Sequence, residues 1–268
     1  LKPSVTFESL AAEFKANSVK AWRNYGSVVT HGFEAAIKEP NAVLNRVNHS
    51  RGVGPWRLAG ESGGYLDDFR GRRGLRYFMH FDLSKNRDAT GIALVHRERD
   101  GRLVVDFMWQ HRPRPGFDVN YAELRERFVY PLLGRGFHLE CVSFDGFQSD
   151  ETRQVLEERG IHTDYCSADK DTGPYDTLID YVLTDRCDFY NFPVFVRELE
   201  ELRFVNGLKY DHPRKFKNGD VGSKDVADAV ACAAFKAVEY ALDNPLPDPG
   251  RIVVTRAPVE QWGERTPW

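Results

Sequence analysis

Four aspartates, Asp82, Asp145, Asp225 and Asp228, define the chemistry open to this chain. Asp82 closes the apolar run Tyr77-Phe78-Met79-His80-Phe81, and Asp145 closes a second, Leu139-Glu140-Cys141-Val142-Ser143-Phe144. An ionised carboxylate at the end of a buried apolar segment is costly unless a cation or hydrogen-bond donors compensate it. Asp225 and Asp228 stand three apart at the head of an alanine-rich stretch, so on a helix they share a face. Both fall in its first turns, where the helix dipole favours negative charge, and charge placement alone would explain that pair. Hard oxygen ligands converging from several elements suit Mg2+ or Mn2+. Two such ions about 4 Å apart clamp both oxygens of an in-line phosphoryl displacement: one activates water, the other stabilises the leaving 3′ oxygen. That reaction needs no protein nucleophile, and the sequence has no Gly-x-Ser-x-Gly and no evident Cys–His pair.

Other side chains read two ways. His80 shares a strand face with Asp82, either as a satisfied sheet histidine or as a ligand. Asp88 is a turn residue or a support for a metal ligand. Three basic clusters, Arg70-Gly71-Arg72-Arg73 with Arg76, His111-Arg112-Pro113-Arg114 and Arg214-Lys215-Phe216-Lys217, are each ordinary solvated surface when taken singly. Around an acidic metal site they would form phosphate-binding rims. Lys209, His212, Arg214, Lys215, Lys217 and Lys224 lie in or near the stretch before the acidic helix. They are candidate phosphate contacts, which give affinity without reading sequence. Asp150, Glu151, Glu157 and Glu158 read as solvated helix charges.

The elements that must position these residues follow from periodicity and turn chemistry. Strands are expected at 77–83, 90–96 and 103–109, with Asp100-Gly101 as a hairpin signal. A helix over 118–133, its end bent at Pro131, leads to a fourth strand at 139–144. A helix over 149–159 ends at Gly160, followed by a short strand at 161–165 and helices at 174–185 and 193–203. A hairpin over 203–210 turns at Asn206-Gly207, and the basic stretch 211–222 runs into the last helix, 223–242. The helical crossover makes strand 139–144 parallel to strand 77–83, which brings Asp82 and Asp145 to one sheet end. Residues 4–37 are expected to be helical, with a second helix around Phe33–Ile37, and 41–65 to be loop. Residues 1–75 therefore read as a helical linker or a remnant of another domain, and the tail from about 243 as proline-rich.

A chain of 268 residues with 41% hydrophobic and 13% aromatic content can hold one large packed domain with an appendage. It begins at Leu1, as expected of a processed chain or an excised piece. No run is long enough to span a membrane. Cys141, Cys166, Cys187 and Cys232 lack Cys-x-x-Cys spacing and are expected to be free thiols in a reduced compartment. The net charge of −3, from 37 basic and 40 acidic residues, does not advertise nucleic-acid binding; only the local clusters do.

His80-Phe81-Asp82-Leu83, Asp88-Ala89-Thr90-Gly91-Ile92-Ala93, Phe144-Asp145-Gly146-Phe147 and Lys224-Asp225-Val226-Ala227-Asp228-Ala229-Val230-Ala231, in this order, resemble the C-terminal nuclease domain of tailed-bacteriophage large terminases. The resemblance covers about residues 76–242. It implies an α/β, ribonuclease-H-like mixed central sheet flanked by helices, here with an N-terminal helical linker segment and a nuclease domain over 76–268. It also implies a metal-dependent endonuclease that cuts concatemeric double-stranded DNA during viral genome packaging, with little sequence specificity. Asp82 and Asp145 match the family's first two catalytic acids, and Asp225 or Asp228 the third. Two Mg2+ or Mn2+ ions are implied as cofactors, and an upstream ATPase domain, a small terminase subunit and the capsid portal as partners, in the cytoplasm of an infected bacterium. The ATPase phosphate loop, Gly-x-x-x-x-Gly-Lys-Ser/Thr, is absent from this sequence. A junction resolvase or ribonuclease H relative would use the same acids, and a non-catalytic module docking on the packaging motor would need none of them.

Overall fold

The structure, a computed structural model, describes residues 33–39, 41–59, 62–83, 89–111, 120–146 and 150–245, with Leu10, Ala11, Phe14 and Lys15. The turn holding Asp88, residues Arg112–Arg114, most of the expected first helix and nearly all of the proline-rich tail lie outside the described residues. The strands are β1 (Phe33–Ala35), β2 (Trp56–Ala59), β3 (Ser62–Tyr65), β4 (Tyr77–Asp82), β5 (Thr90–Arg97), β6 (Leu103–His111), β7 (Leu139–Phe144), β8 (Thr163–Tyr165), β9 (Cys187–Phe189), β10 (Arg203–Val205) and β11 (Lys209–Asp211). The α-helices are α1 (Tyr121–Leu124), α2 (Tyr130–Gly134), α3 (Asp150–Glu157), α4 (Gly173–Leu183), α5 (Pro193–Glu200) and α6 (Asp225–Asp243).

Six strands form the central mixed sheet in the order β8-β7-β4-β5-β6-β9. β4, β5 and β6 make the expected antiparallel meander. Gly101, at a φ of 94°, turns the chain between its last two strands, and Glu98 N donates to the Arg102 carbonyl at 2.8 Å. β7 pairs parallel to β4 with Phe81 opposite Phe144, so the two apolar runs end side by side. The sheet is thus ribonuclease-H-like, mixed and flanked by helices, as the sequence implies.

Alternation along the strands separates two cores. Phe78 of β4 faces α6 with Ala93, Val95, Val105 and Met108. Tyr77, Met79 and Phe81 face the other way with Ile92, Leu94, Phe107 and Phe128. α6 packs between the sheet and the helices α4 and α5, with Ala227, Ala229, Ala231, Ala233, Ala234 and Ala237 all buried. Small side chains bring the helix backbone near the strands, and Gly91 allows the closest approach. A Cβ there would lie 1.8 Å from the Asp225 carbonyl oxygen.

Four features differ from the sequence reading. Phe33–Ala35 is a strand rather than helix, because it pairs antiparallel with β10 of the late hairpin. Residues 41–65 are not plain loop: two single 3-10 turns lead into the β2–β3 hairpin. Its glycines hide the strand pattern, since a Cβ on Gly63 would strike the Trp56 indole nitrogen at 2.3 Å. β9 pairs with β6 along only three residues, too short for any periodicity. Finally, the helix before β7 is interrupted by a π-helical turn, Arg125–Val129, which widens the backbone just before Pro131.

The four cysteines are buried free thiols. Among the described residues no helix is long and apolar enough to cross a membrane.

Candidate functional site

The site lies where β4, β7 and the start of α6 converge. Parallel pairing carries Asp145 to the same sheet end as Asp82, and the Leu83 amide donates to Asp145 Oδ1 at 3.2 Å. The Asp82 and Asp145 side chains stand close enough to affect each other's ionisation. Opposite Asp82 on β5 stands Gly91, the point where α6 touches the sheet. That one close approach sets Asp225 and Asp228 beside the strand acids.

The head of α6 is held from α5. Glu198, buried, accepts from Ser223 Oγ at 2.6 Å and from the Ala227 amide at 2.8 Å. It satisfies a first-turn amide that the α6 N-cap residue, Lys224, does not cap with its side chain. Burial pushes the Glu198 carboxyl up to about 8, against the lowering effect of those two donors.

Asp228 is buried, and each of its oxygens is engaged. Tyr175 OH donates to Oδ1 at 2.6 Å, and Lys224 Nζ donates to Oδ2 at 2.5 Å. The same ammonium reaches Asp169 Oδ1 at 2.8 Å. Asp225 accepts from Gln110 Nε2 of β6 at 3.3 Å.

Burial raises the Asp82 pKa well above the ordinary carboxylate value. The charges of Asp228, Asp145 and Asp225 add to that rise, and Lys224 opposes it. Asp145 and Asp228 are also raised, burial again being the largest cause. Carboxylates that destabilise one another's ionised form are what a divalent cation would relieve. The donor chemistry therefore fits an ion held by Asp82 and Asp145 with Asp225 close by. Even so, among the described residues no three His, Cys, Asp or Glu side chains stand arranged around one point as ligands. The four aspartates meet at one sheet end but not as one ligand set: Asp228 accepts from Lys224 and Tyr175, and Asp225 from Gln110.

Lys224, grouped in the sequence with the basic stretch, is buried between two carboxylates rather than presented to solvent. Lys209 is exposed and paired with Asp211 at 2.9 Å. Arg214, Lys215 and Lys217 are exposed on the loop between β11 and α6. His212, half-buried, has Nδ1 2.9 Å from the Pro213 carbonyl oxygen. This loop folds back on itself as Gly222 N donates to the Arg214 carbonyl at 3.1 Å. The basic residues and the acids are therefore joined by a short, ordered connection.

His80 is fully buried beneath α6, its Nδ1 2.8 Å from Ser143 Oγ. Burial lowers its pKa to about 3, so it is a neutral sheet histidine. Asp150, Glu151, Glu157 and Glu158 lie on or just after α3, exposed as expected. Beside Asp145 opens a cleft of about 270 Å³ lined in part by Tyr165, Lys170, Phe235 and Lys236. Sequence reasoning did not find Asp169, Tyr175, Glu198 or Gln110, which stand far from the acids along the chain. For Lys224 a signal was available, because it lies four residues before Asp228, the spacing of a helical ion pair.

No family model matches the sequence, and no curated protein matches it. Solved structures do resemble the fold. The large terminase of bacteriophage HK97 is 17% identical over 88% of this chain and 52% of that one, with a TM-score of 0.53. The large terminase nuclease of thermophilic phage G20c with bound magnesium is 14% identical over 72% of this chain and 94% of that one, with a TM-score of 0.50. The chain thus spans about half of the HK97 protein and nearly all of the isolated G20c nuclease. Its fold is the one seen in the nuclease domains of phage large terminases.

Proposed function

We infer that this chain is the nuclease part of a phage DNA-packaging terminase, a divalent-metal-dependent endonuclease acting on double-stranded DNA. The observation that carries the reading is the meeting of Asp82, Asp145 and the acidic head of α6 at one sheet end, with raised carboxylate pKa values. Asp82, Asp145 and Asp225 would hold Mg2+ or Mn2+, with Asp228 beside them. When bound, the metal supplies a water activated at neutral pH and a counter-charge for the leaving 3′ oxygen. The strand ends fix Asp82 and Asp145 relative to each other through the Leu83 amide, and Gln110 steadies Asp225. Arg214, Lys215 and Lys217 would bind phosphates along the loop that enters α6, and Lys209 and His212 would support that surface. Such contacts give little sequence preference and an affinity that falls steeply with salt. An upstream ATPase, a small terminase subunit and the capsid portal are the partners this role requires, in the cytoplasm of an infected bacterium.

The test is plasmid nicking with Mn2+, with and without chelator, on the native chain and on Asp82→Ala and Asp145→Ala. We expect cutting that chelator abolishes and that both variants lose. Undiminished cutting by either variant would remove its aspartate from the mechanism. A panel of duplex DNA, four-way junction and RNA–DNA hybrid then separates the terminase role from the resolvase and ribonuclease H roles.

A further inference from the structure

The acids account for a metal ion but not for the cleft that opens beside Asp145. It encloses about 270 Å³, and Asp145 and Gly146 lie at its edge. One wall is α6, through Phe235 and Lys236; the other is the end of β8 and the residues after it, through Tyr165 and Ser167. Both walls are held in place. Lys236 Nζ donates to Asp164 Oδ2 at 2.7 Å and to Glu239 Oε2 at 2.8 Å, and its side chain is 14% exposed. An ammonium has three donors, and among the described residues those two carboxylates are its hydrogen-bond partners, so one N–H of a fixed cation is left for a ligand. The same ammonium stands 5.9 Å from the centroid of the Phe235 ring. On the opposite wall Tyr165 OH donates to Asp150, and the Arg153 guanidinium stands over the Tyr165 ring at 4.1 Å. Aromatic rings beside a cation are what a single strand binds, because its bases stack on the rings while its phosphates pair with the charge. A duplex keeps its bases stacked inside and has none to offer. A cleft of this volume takes a group the size of one nucleotide.

On the nuclease reading, we propose that this cleft is a single-strand subsite: it takes one unpaired nucleotide of the strand held at Asp145, with its base stacked on the aromatic walls and its phosphate on Lys236. The substrate at the moment of cutting is then a duplex opened beside the cut. Lys236 and Phe235 bind that strand next to the reacting phosphate and take no part in breaking the bond. The contact reads no sequence, since every base has a face to stack.

The experiment maps where a base sits. A short single-stranded oligothymidylate carrying 5-iodouracil is mixed with the full chain in Ca2+ and irradiated, and the cross-linked peptides are identified by mass spectrometry. Iodouracil couples to aromatic side chains stacked against it, so cross-links are expected at Phe235 or Tyr165. Anisotropy titrations of the same strand over a range of salt test the cation. Lys236→Met should lower the slope of log affinity against log salt by about 0.7, the share of one phosphate on a single strand, and Lys236→Arg should keep the slope. Phe235→Leu keeps an apolar side chain without the ring and should weaken binding about fivefold or more. Cross-links confined to other peptides, such as the one holding Phe216 of the basic loop, overturn the proposal, as does an unchanged salt slope in a folded Lys236→Met. If a variant does not fold by circular dichroism, the wild-type cross-link decides alone. Chelator-sensitive nicking of plasmid without a cross-link in the cleft leaves the nuclease reading standing and removes the subsite. A cross-link in the cleft without nicking removes the nuclease reading and leaves a single-strand site. Neither cross-link nor nicking removes both.

Discussion

The two faces of the central sheet are built from different kinds of side chain. On one face Tyr77, Phe81, Phe107, Phe128 and Phe144 pack with Trp56 and Tyr65 in an aromatic layer, where Trp56 lies 5.0 Å from Phe128 and 4.8 Å from Tyr65 between ring centroids. On the other face lies α6 with six buried alanines, and between and beyond them lie His80, Ser143, Asp228, Lys224, Tyr175 and Glu198. Aromatic side chains bury large areas and supply much of the free energy of packing. Alanine supplies little, but it lets a helix backbone come close enough to aim carboxylates at a strand end. The first face holds the sheet together, and that stability lets the second keep ionisable groups buried at a cost.

The difference can be broken from either side. The largest effect should come from Asp82→Asn. Loss of several kcal/mol of metal-derived stabilisation corresponds to about a thousandfold or more in nicking rate. The melting temperature of the chelated protein should not fall, because the substitution removes a carboxylate whose ionised form is disfavoured. A clear drop in stability would mean that this face also supports the fold.

Phe128→Ala tests the opposite face. It should destabilise the chain by about 3–5 kcal/mol in denaturant titration, while Mn2+ binding per folded molecule stays the same. Gly91→Ala should fall between the two. The added methyl meets the Asp225 carbonyl and must push α6 away. Overpacking of this kind costs about 1–3 kcal/mol. The displaced acids should slow nicking by about a hundredfold, the scale expected for a misplacement near 1 Å.

The smallest effect is a pH dependence of the metal-free protein. Burial holds Glu198 up to about 8, against 4.5 for an exposed glutamate, so the native chain keeps a proton that the unfolded chain has lost. Its contribution to stability therefore falls as pH rises from 4.5 to 8. His80, held down to about 3 from 6.5, acts oppositely, but its gain is complete above pH 6.5. With chelator present, the melting temperature should decline between pH 6.5 and 8, and Glu198→Gln should flatten that decline.

The strands and the four aspartates were legible because both apolar runs stop at an acid, and because Ala227 to Ala237 mark a helix that packs closely. Crossover geometry requires Asp145 to lie beside Asp82, and the parallel pairing of β4 and β7 puts it there. What escaped was whatever depends on a distant partner. Phe33–Ala35 is a strand only because β10 is there to pair with it. Glu198 reads as one more helix charge until Ser223 and Ala227 are seen to donate to it. The side chains of Asp225 and Asp228 share a helix face, yet one accepts from Gln110 and the other from Lys224 and Tyr175. Spacing alone does not separate those two roles.

Glu198 has a mechanical consequence as well. Its carboxyl ties α5 to the first turn of α6, closing a loop whose β10–β11 hairpin is pinned separately by β1 and by Tyr210 OH, which donates to Asp176. The end of α6 that carries Asp225 and Asp228 is therefore moored to a neighbouring helix as well as to the sheet.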